Sequence, residues 1–260
     1  MRRMLSGTLL GTAALGAWAV AERQRLLAVP RLPSVAEGLD AVVWPPVPVP
    51  SDTPPVQLVT LGDSVMSGVG AATVTAAVPY VLATRVAAAL GTPVRVRNHG
   101  RSGARVADVA AGQVPQLASA APPDVVVVSV GANDTTHLTP AARFAADLRA
   151  VLAAARAAGG QVIVTGNPEF RSLELLSAPL RYAAHHYGEL IHRTQEAVAA
   201  DEPGVAFVDV KARVGEAFRT SPHLLAEDRF HPSAAGCACL ADAVAPAVVG
   251  VLRRCTAQAS

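Results

Sequence analysis

The chain contains few aromatic, charged and cysteine residues, and each shortage narrows the classes of protein to which it can belong. Aromatic residues make up 4% of its 260 residues and charged residues 16%, whereas 51% are hydrophobic. So apolar a composition excludes a chain that is disordered as a whole. The 22 basic and 20 acidic residues leave a net charge of +2. This scattered charge favours no nucleic-acid partner.

The three cysteines, Cys237, Cys239 and Cys255, cannot all pair within one chain. On one continuous helix the first and last would be about 27 Å apart, which is too far for a disulfide. We therefore expect buried free thiols. The sequence has no CxxC and no zinc-type ligand spacing, so neither a metal nor another cofactor is expected.

The N-terminus has the pattern of a targeting segment. Arg2 and Arg3 precede an apolar run over residues 4–21, which ends in the small-x-small sequence Ala19-Val20-Ala21. A basic start, an apolar stretch and such a site are the parts of a secretory signal peptide. The run is also close to the minimum length for a membrane-spanning helix, so a signal anchor stays open. Both readings predict an exported catalytic domain, either extracellular or held at the membrane through residues 4–21.

The sequence divides into three parts. Residues 1–27 form the signal peptide or anchor, and residues 28–55 carry eight prolines, whose density predicts an extended linker. Residues 56–254 form the remaining part, whose length suits one domain with a complete hydrophobic core. We expect this domain to be a monomer.

Apolar runs of strand length alternate with longer helical segments after residue 56. This alternation predicts βαβ units, a parallel five-stranded sheet and a three-layer α/β/α sandwich of flavodoxin-like topology. The predicted strands are 56–61, 94–98, 124–130, 161–165 and 205–210. The predicted helices are 79–90, 106–117, 140–158, 179–200 and 233–253.

Four polar segments follow strand ends or precede the last helix: Gly62-Asp63-Ser64, residues 98–103, residues 131–134 and residues 228–232. Ligands of such sheets bind at the carboxyl ends of the strands. Each segment by itself also has the composition of an ordinary turn, and Gly62-Asp63-Ser64 by itself could equally cap the N-terminus of a helix. Their common position is what favours a functional site.

In this order the four segments resemble the sequence blocks of the SGNH hydrolases, also called GDSL esterases and lipases. The resemblance covers about residues 56–252. It implies that Ser64 is the nucleophile, and that Ser64, Gly103 and Asn133 form the oxyanion hole. It also implies that Asp228 and His231 complete the catalytic site. Val65 stands where the family's motif often has leucine, a position whose side chain is structural.

The chemistry of these residue types agrees with the resemblance. A serine hydroxyl needs a base to take its proton, histidine can do so near neutral pH, and a carboxylate can orient that histidine. Backbone and amide N–H groups stabilise the oxyanion of a tetrahedral intermediate. Asp134 either orients the Asn133 loop or caps a turn, and His137 either lines the pocket or is solvated. Four apolar residues of the loop after the fourth strand either wall an acyl pocket or cover the core: Phe170, Leu173, Leu175 and Leu176.

The expected function is therefore hydrolysis of a carboxylic ester, either a lipid acyl ester or an acetylated glycan. Acyl transfer to a sugar hydroxyl would use the same residues and stays open. A flavodoxin-like binding module is the non-enzymatic alternative, but the chain has neither a P-loop nor a G-x-G-x-x-G motif. Such a module would also leave Asp228 and His231 without a role.

Overall fold

A computed structural model of the protein describes residues 20–22, 24–25, 28–119, 121–171 and 176–259. Over these residues it has one six-stranded sheet, of order β1-β3-β2-β4-β5-β6. β1 is antiparallel to β3, and every other neighbouring pair is parallel. The strands are β1 (Asp40–Val43), β2 (Val56–Gly62), β3 (Val94–Asn98), β4 (Val125–Ser129), β5 (Gln161–Thr165) and β6 (Val205–Val208).

The α/β/α architecture is confirmed, but the strand count and the first domain boundary were wrong. β1 lies inside the expected linker 28–55 and pairs with β3 from Asp40↔Arg97 to Val43↔Val94. Just before β1, Ala36 is buried and its N–H donates to Ser67 O at 2.9 Å. Four residues among prolines carry too little periodicity to be recognised as a strand. The domain therefore begins by Ser34, and a truncation to Val56 removes an edge strand.

Helices cover both faces of the sheet, and four of the five expected helices lie at their expected positions. The helix Val210–Thr220 and two short helices, Ser64–Ser67 and Ala132–Thr136, were not predicted. The stretch expected to be one helix over 106–117 is a short α-helix, a π-helical turn Val109–Gln113 and a 3₁₀-helix Val114–Ser119. Further 3₁₀ turns are Val74–Ala76 and Pro222–Leu224. The α-helices from residue 64 onward are α1 (Ser64–Ser67), α2 (Val78–Leu90), α3 (Val106–Asp108), α4 (Ala132–Thr136), α5 (Ala141–Ala157), α6 (Ala178–Asp201), α7 (Val210–Thr220) and α8 (Ala234–Ala259).

The four consecutive valines of β4 explain the two-sided core. Val125 and Val127 belong to the cluster under α2 and α8, while Val126 and Val128 belong to the cluster under α5. Successive side chains of a strand point to opposite faces, so a strand buried on both faces is apolar throughout. β2 lies beside β4 near the middle of the sheet, and this position carries its carboxyl end to the centre of one edge.

One helix among the described residues has the length and apolarity of a membrane span. It is Ala234–Cys255 of α8, with a mean hydropathy of 1.9. Its buried side, which includes Cys237, Ala241 and Val248, packs in the core next to α2. This packing is that of a core helix. The predicted targeting run 4–21 lies, apart from its last two residues, outside the described residues.

The three cysteines are free, as expected. Cys237 is buried, and burial raises the pKa of its thiol to about 11. Cys239 and Cys255 are only partly buried.

Candidate active site

The four polar segments meet at one edge of the sheet. β3, β2 and β4 are neighbours, so the loops that leave their carboxyl ends lie side by side. These loops carry Gly103, Ser64 and Asn133 respectively. The loop before α8 carries Asp228 and His231, and His231 lines the same cavity as Ser64.

Ser64 begins α1 directly after β2 and is buried, at 7% exposed. A Cβ atom at Gly62 would collide with the carbonyl oxygen of Ser129 on β4, so only glycine lets β2 turn this close to its neighbour. The Gln113 side chain forms two hydrogen bonds with the backbone of the same residue. Its Oε1 accepts from Gly62 N at 2.8 Å and its Nε2 donates to Gly62 O at 2.8 Å. The turn that presents Ser64 is therefore held by both neighbours.

The side chain of Asn98 joins several segments at this edge of the sheet, because it makes all four of the hydrogen bonds available to an amide. Its Oδ1 accepts from Thr60 Oγ1 at 2.8 Å and from Gly100 N at 3.0 Å. Its Nδ2 donates to Ala36 O at 2.6 Å and to Met66 O at 2.8 Å. One buried amide thus joins β2, α1, the loop to Gly103 and the segment before β1. Buried polar groups of this kind rigidify a site when every bond is made.

Gly103 and Asn133 lie close to each other. Asn133 Nδ2 donates to Ala104 O at 3.1 Å, which leaves the second N–H of this amide for another acceptor. Gly103 has φ 81°, and a Cβ atom there would meet nothing within 4 Å. Its left-handed backbone, and not crowding, is therefore what favours glycine.

Asp134 links two loops at this edge of the sheet. It is fully buried, and its Oδ2 accepts from Val106 N at 3.0 Å. This bond links the Asn133 loop to the start of α3, just after Gly103. Burial raises the pKa of the Asp134 carboxyl above its ordinary value, against a partial lowering by the Val106 N–H.

Asp228 and His231 form a tight pair. Asp228 Oδ2 lies 2.6 Å from His231 Nδ1, and Oδ1 accepts from the backbone N–H groups of Phe230 and His231 at 3.0 and 2.9 Å. Burial alone would raise the pKa of Asp228, but the bonds from the His231 ring and from these two N–H groups outweigh it and hold the pKa below its ordinary value. The carboxylate is therefore ionised at neutral pH. An ionised partner keeps the ring proton on Nδ1 and leaves Nε2 as an acceptor.

A largely apolar cavity opens beside Ser64 and His231. It holds about 720 Å³ of empty space, part of it open to solvent. Its apolar side chains come from α1, the loop after β5, α7, the loop before α8 and α8 itself: Val65, Phe170, Val210, Val214, Phe218, Leu225, Phe230 and Leu240.

Comparison with known proteins agrees with this geometry. Residues 60–239 match the model of the GDSL-like Lipase/Acylhydrolase family, which is more than half of the chain. The chain belongs to this family. The GDSL-like esterase Rv1075c of Mycobacterium tuberculosis is 32% identical over 189 residues, or 72% of this chain; the match spans 60% of that protein's length.

Solved structures show the same fold. The crystal structure of TesA has a TM-score of 0.61 and 27% identity, and the match covers 75% of this chain and 99% of TesA. A variant of Axe2, an acetyl xylan esterase from Geobacillus stearothermophilus, has a TM-score of 0.54 and 24% identity, covering 76% and 94% of the two chains. This member of the GDSL-like Lipase/Acylhydrolase family therefore has the α/β fold of these solved structures.

The sequence left open whether the apolar residues of the loop after β5 and His137 line the cavity, and the structure answers this for the residues that it describes. Phe170 lines the cavity, whereas Leu176 does not, and Leu173 and Leu175 lie outside the described residues. His137 is exposed, its Nδ1 lies 2.8 Å from Asn133 O, and it is not part of the cavity wall.

Two glutamines that position the edge were missed by sequence reasoning. Besides Gln113, the fully buried Gln195 accepts from Asn167 N at 2.8 Å and donates to Val130 O at 2.8 Å, which joins the ends of β4 and β5. Each lies on an otherwise apolar helical face, as Gln195 does between Ile191 and Val198. A single amide residue on an apolar helical face is the sequence signal that could have identified both glutamines.

The buried carboxyl group of Asp63 makes the free energy of unfolding depend on pH. It is 3% exposed, and its Oδ1 accepts from Val65 N at 3.1 Å. Burial raises the pKa of Asp63 to about 6, even though the Val65 N–H and nearby His231 lower it. In the unfolded chain the carboxyl ionises near pH 4. Between about pH 4 and pH 6 the unfolded chain therefore releases this proton first, and the free energy of unfolding falls as pH rises.

Asp63→Asn is accordingly expected to gain stability relative to the wild type by up to about 3 kcal/mol between pH 4 and pH 8, because the amide has no proton to lose. Urea denaturation at both pH values measures this difference. Asp52→Asn, in the exposed loop before β2, is the control and should show no such change. An equal effect of Asp63→Asn at both pH values would contradict the assignment.

Proposed function

We propose that this GDSL hydrolase is a serine esterase that cleaves carboxylic esters through Ser64, His231 and Asp228. The observation that carries the proposal is the Asp228–His231 pair, at 2.6 Å, in which His231 lines the same cavity as Ser64. A hydroxyl, a base and a group that orients the base are the parts that acyl transfer to serine requires.

In the proposed reaction, Ser64 Oγ attacks the ester carbonyl and His231 Nε2 takes its proton. The carbonyl oxygen becomes an oxyanion, for which the N–H groups of Ser64 and Gly103 and the free N–H of Asn133 are the donors. Collapse of this intermediate breaks the bond to the alcohol oxygen, which receives the proton from His231. A water molecule then attacks the acyl-enzyme with His231 as base, releasing the acid and restoring Ser64.

The names of relatives support an ester substrate without identifying it, since one is called an esterase and another an acetyl xylan esterase. The substrate class is tested with nitrophenyl esters of increasing acyl length, alongside acetylated polysaccharide. We expect saturable hydrolysis of at least one ester series. Supplying a sugar acceptor with the preferred ester distinguishes transfer from hydrolysis, because transfer produces an acylated sugar in place of free acid. No turnover of any ester would contradict the proposal.

We also propose that the domain acts outside the cytoplasmic membrane. The support is the apolar run 4–21 behind Arg2 and Arg3. Fractionation of cells that express the full chain tests this proposal. Protein in the medium beginning at Glu22 indicates a cleaved signal, full-length protein digestible from outside indicates an anchor, and full-length protein confined to the cytosol contradicts both.

A further inference from the structure

One wall of the cavity is a single face of α7. The residues of α7 that line it are Val210, Lys211, Val214, Gly215 and Phe218. Their spacing of three and four residues puts them on the same side of a helix. Four of the five carry side chains, and the glycine leaves a gap in the middle of this wall.

Neither backbone geometry nor packing explains a glycine at position 215. Gly215 lies in the interior of α7 and does not have a positive φ. A Cβ atom there would lie 3.6 Å from Glu169 Cβ and 3.7 Å from Lys211 Cγ, which is ordinary van der Waals contact. Glycine destabilises a helix interior relative to alanine. Alanine would therefore fit and stabilise α7, and yet the position has no side chain.

Gly62 shows what a sterically required glycine looks like. A Cβ atom at Gly62 would collide with a backbone carbonyl. At Gly215 such a collision is absent, and a Cβ atom would lie in ordinary contact with Glu169 and Lys211, two other residues of the cavity wall. The missing side chain thus preserves cavity space at a cost to helix stability.

The cavity is suited to an uncharged aliphatic chain. Both charged residues in its wall are bonded to other groups. Lys211 Nζ lies 2.8 and 2.9 Å from the two carboxylate oxygens of Glu189, and Glu169 Oε1 accepts from Arg171 N at 2.9 Å. The remaining wall is largely Val, Leu and Phe, against which methylene groups gain about 0.8 kcal/mol each on burial.

We propose that Gly215 is a specificity-determining residue, which keeps the α7 wall open so that the cavity accepts the aliphatic acyl chain of the ester. This inference rests on the proposed function. The acyl part stays in the site through both chemical steps, bonded to Ser64 between them, while the alcohol must leave and water must enter. A cavity whose wall includes Ser64 and the buried side chains of Phe170 and Val210 suits the part that stays.

The test compares Gly215→Ala and Gly215→Leu with the wild type on nitrophenyl esters from acetate to dodecanoate. Gly215→Leu is expected to lower kcat/KM for the longest esters at least about tenfold more than for the acetate ester, since a single methylene in an apolar pocket is worth about 10–200-fold. Gly215→Ala should shift the preferred length less, with an unchanged or higher Tm.

Gly250→Ala and Gly250→Leu are the matched controls. Gly250 also lies inside a helix, α8, with room for a Cβ atom 3.6 Å from Arg254 Nη1, and it is not part of the cavity wall. These variants should leave the chain-length profile unchanged. A second series of acetate esters with lengthening alcohols separates the two sides of the ester.

The results separate the inference from the proposed function on which it rests. An unchanged profile for Gly215→Leu, or an equal loss for every ester, would overturn the role of Gly215 while leaving the esterase proposal standing. A penalty that follows the length of the alcohol would overturn the acyl assignment. Absence of ester hydrolysis by the wild type, in contrast, is a failure of the proposed function itself.

Discussion

Ser64→Ala is expected to lower ester hydrolysis by a factor on the order of 10⁶ and to abolish labelling by a fluorophosphonate probe. The reason is that the acyl-enzyme cannot form without the Ser64 hydroxyl, while the methyl group of alanine leaves α1 and its neighbours in place. Steady-state kinetics and probe labelling followed by mass spectrometry measure the two effects.

Ser102→Ala is the control for this experiment. Ser102 is an exposed serine on the same edge of the sheet, next to Gly103, in a sequence that resembles a nucleophile elbow. Ala104 replaces the last glycine of that motif, so Ser102 is not expected to react. Labelling should be retained in Ser102→Ala. A probe adduct at wild-type level in Ser64→Ala would disprove the nucleophile assignment.

His231→Ala is expected to lower kcat by about 10²–10⁴-fold, which is the usual worth of a positioned general base. Asp228→Asn is expected to fall in the same range. The N–H groups of Phe230 and His231 both need the acceptor at Oδ1, so the amide oxygen takes that position and the NH₂ group faces His231 Nδ1. Such an arrangement puts the ring proton on Nε2, where it blocks proton uptake from Ser64.

The exposed His137 provides the matched control, and His137→Ala should retain wild-type kcat. If His231→Ala keeps more than about a tenth of wild-type kcat, the general-base role is wrong.

The low pKa of Asp228 adds a stability signature. The hydrogen bonds to the ionised Asp228 stabilise the folded protein fully at pH values above the ordinary pKa of aspartate. This stabilisation is lost as the pH falls through the lower pKa that Asp228 has in the folded protein. The stability difference between wild type and Asp228→Asn should therefore shrink as the pH falls below the ordinary carboxyl range.

Much of this architecture was predictable because its information is local. The valines of β4, the helix that ends at Gly91 and the Gly-Asp-Ser segment can each be recognised within a few residues of sequence. The order of the polar segments, with Asp228 three residues before His231, was enough to predict which side chains belong to one site. The close Asp228–His231 contact agrees with that spacing.

Other features could not be predicted, because they join residues that are distant in the chain. Gln113 reaches Gly62 across 51 residues, and Asn98 binds Ala36 across 62. β1 becomes a strand through pairing with β3, since its four residues among prolines have little strand signal of their own.

The sequence by itself determined the alternation of strands and helices and the family, and it predicted the residues of the candidate site. Each of these depends on residue types and short spacings. The tertiary structure alone decided that a sixth strand closes the edge of the sheet, that two buried amides, Asn98 and Gln113, hold the turns around Ser64, and that Gly215 faces a cavity. The physical reason is that hydrogen bonds and empty space between distant segments depend on how the elements pack, which no local pattern of residues encodes.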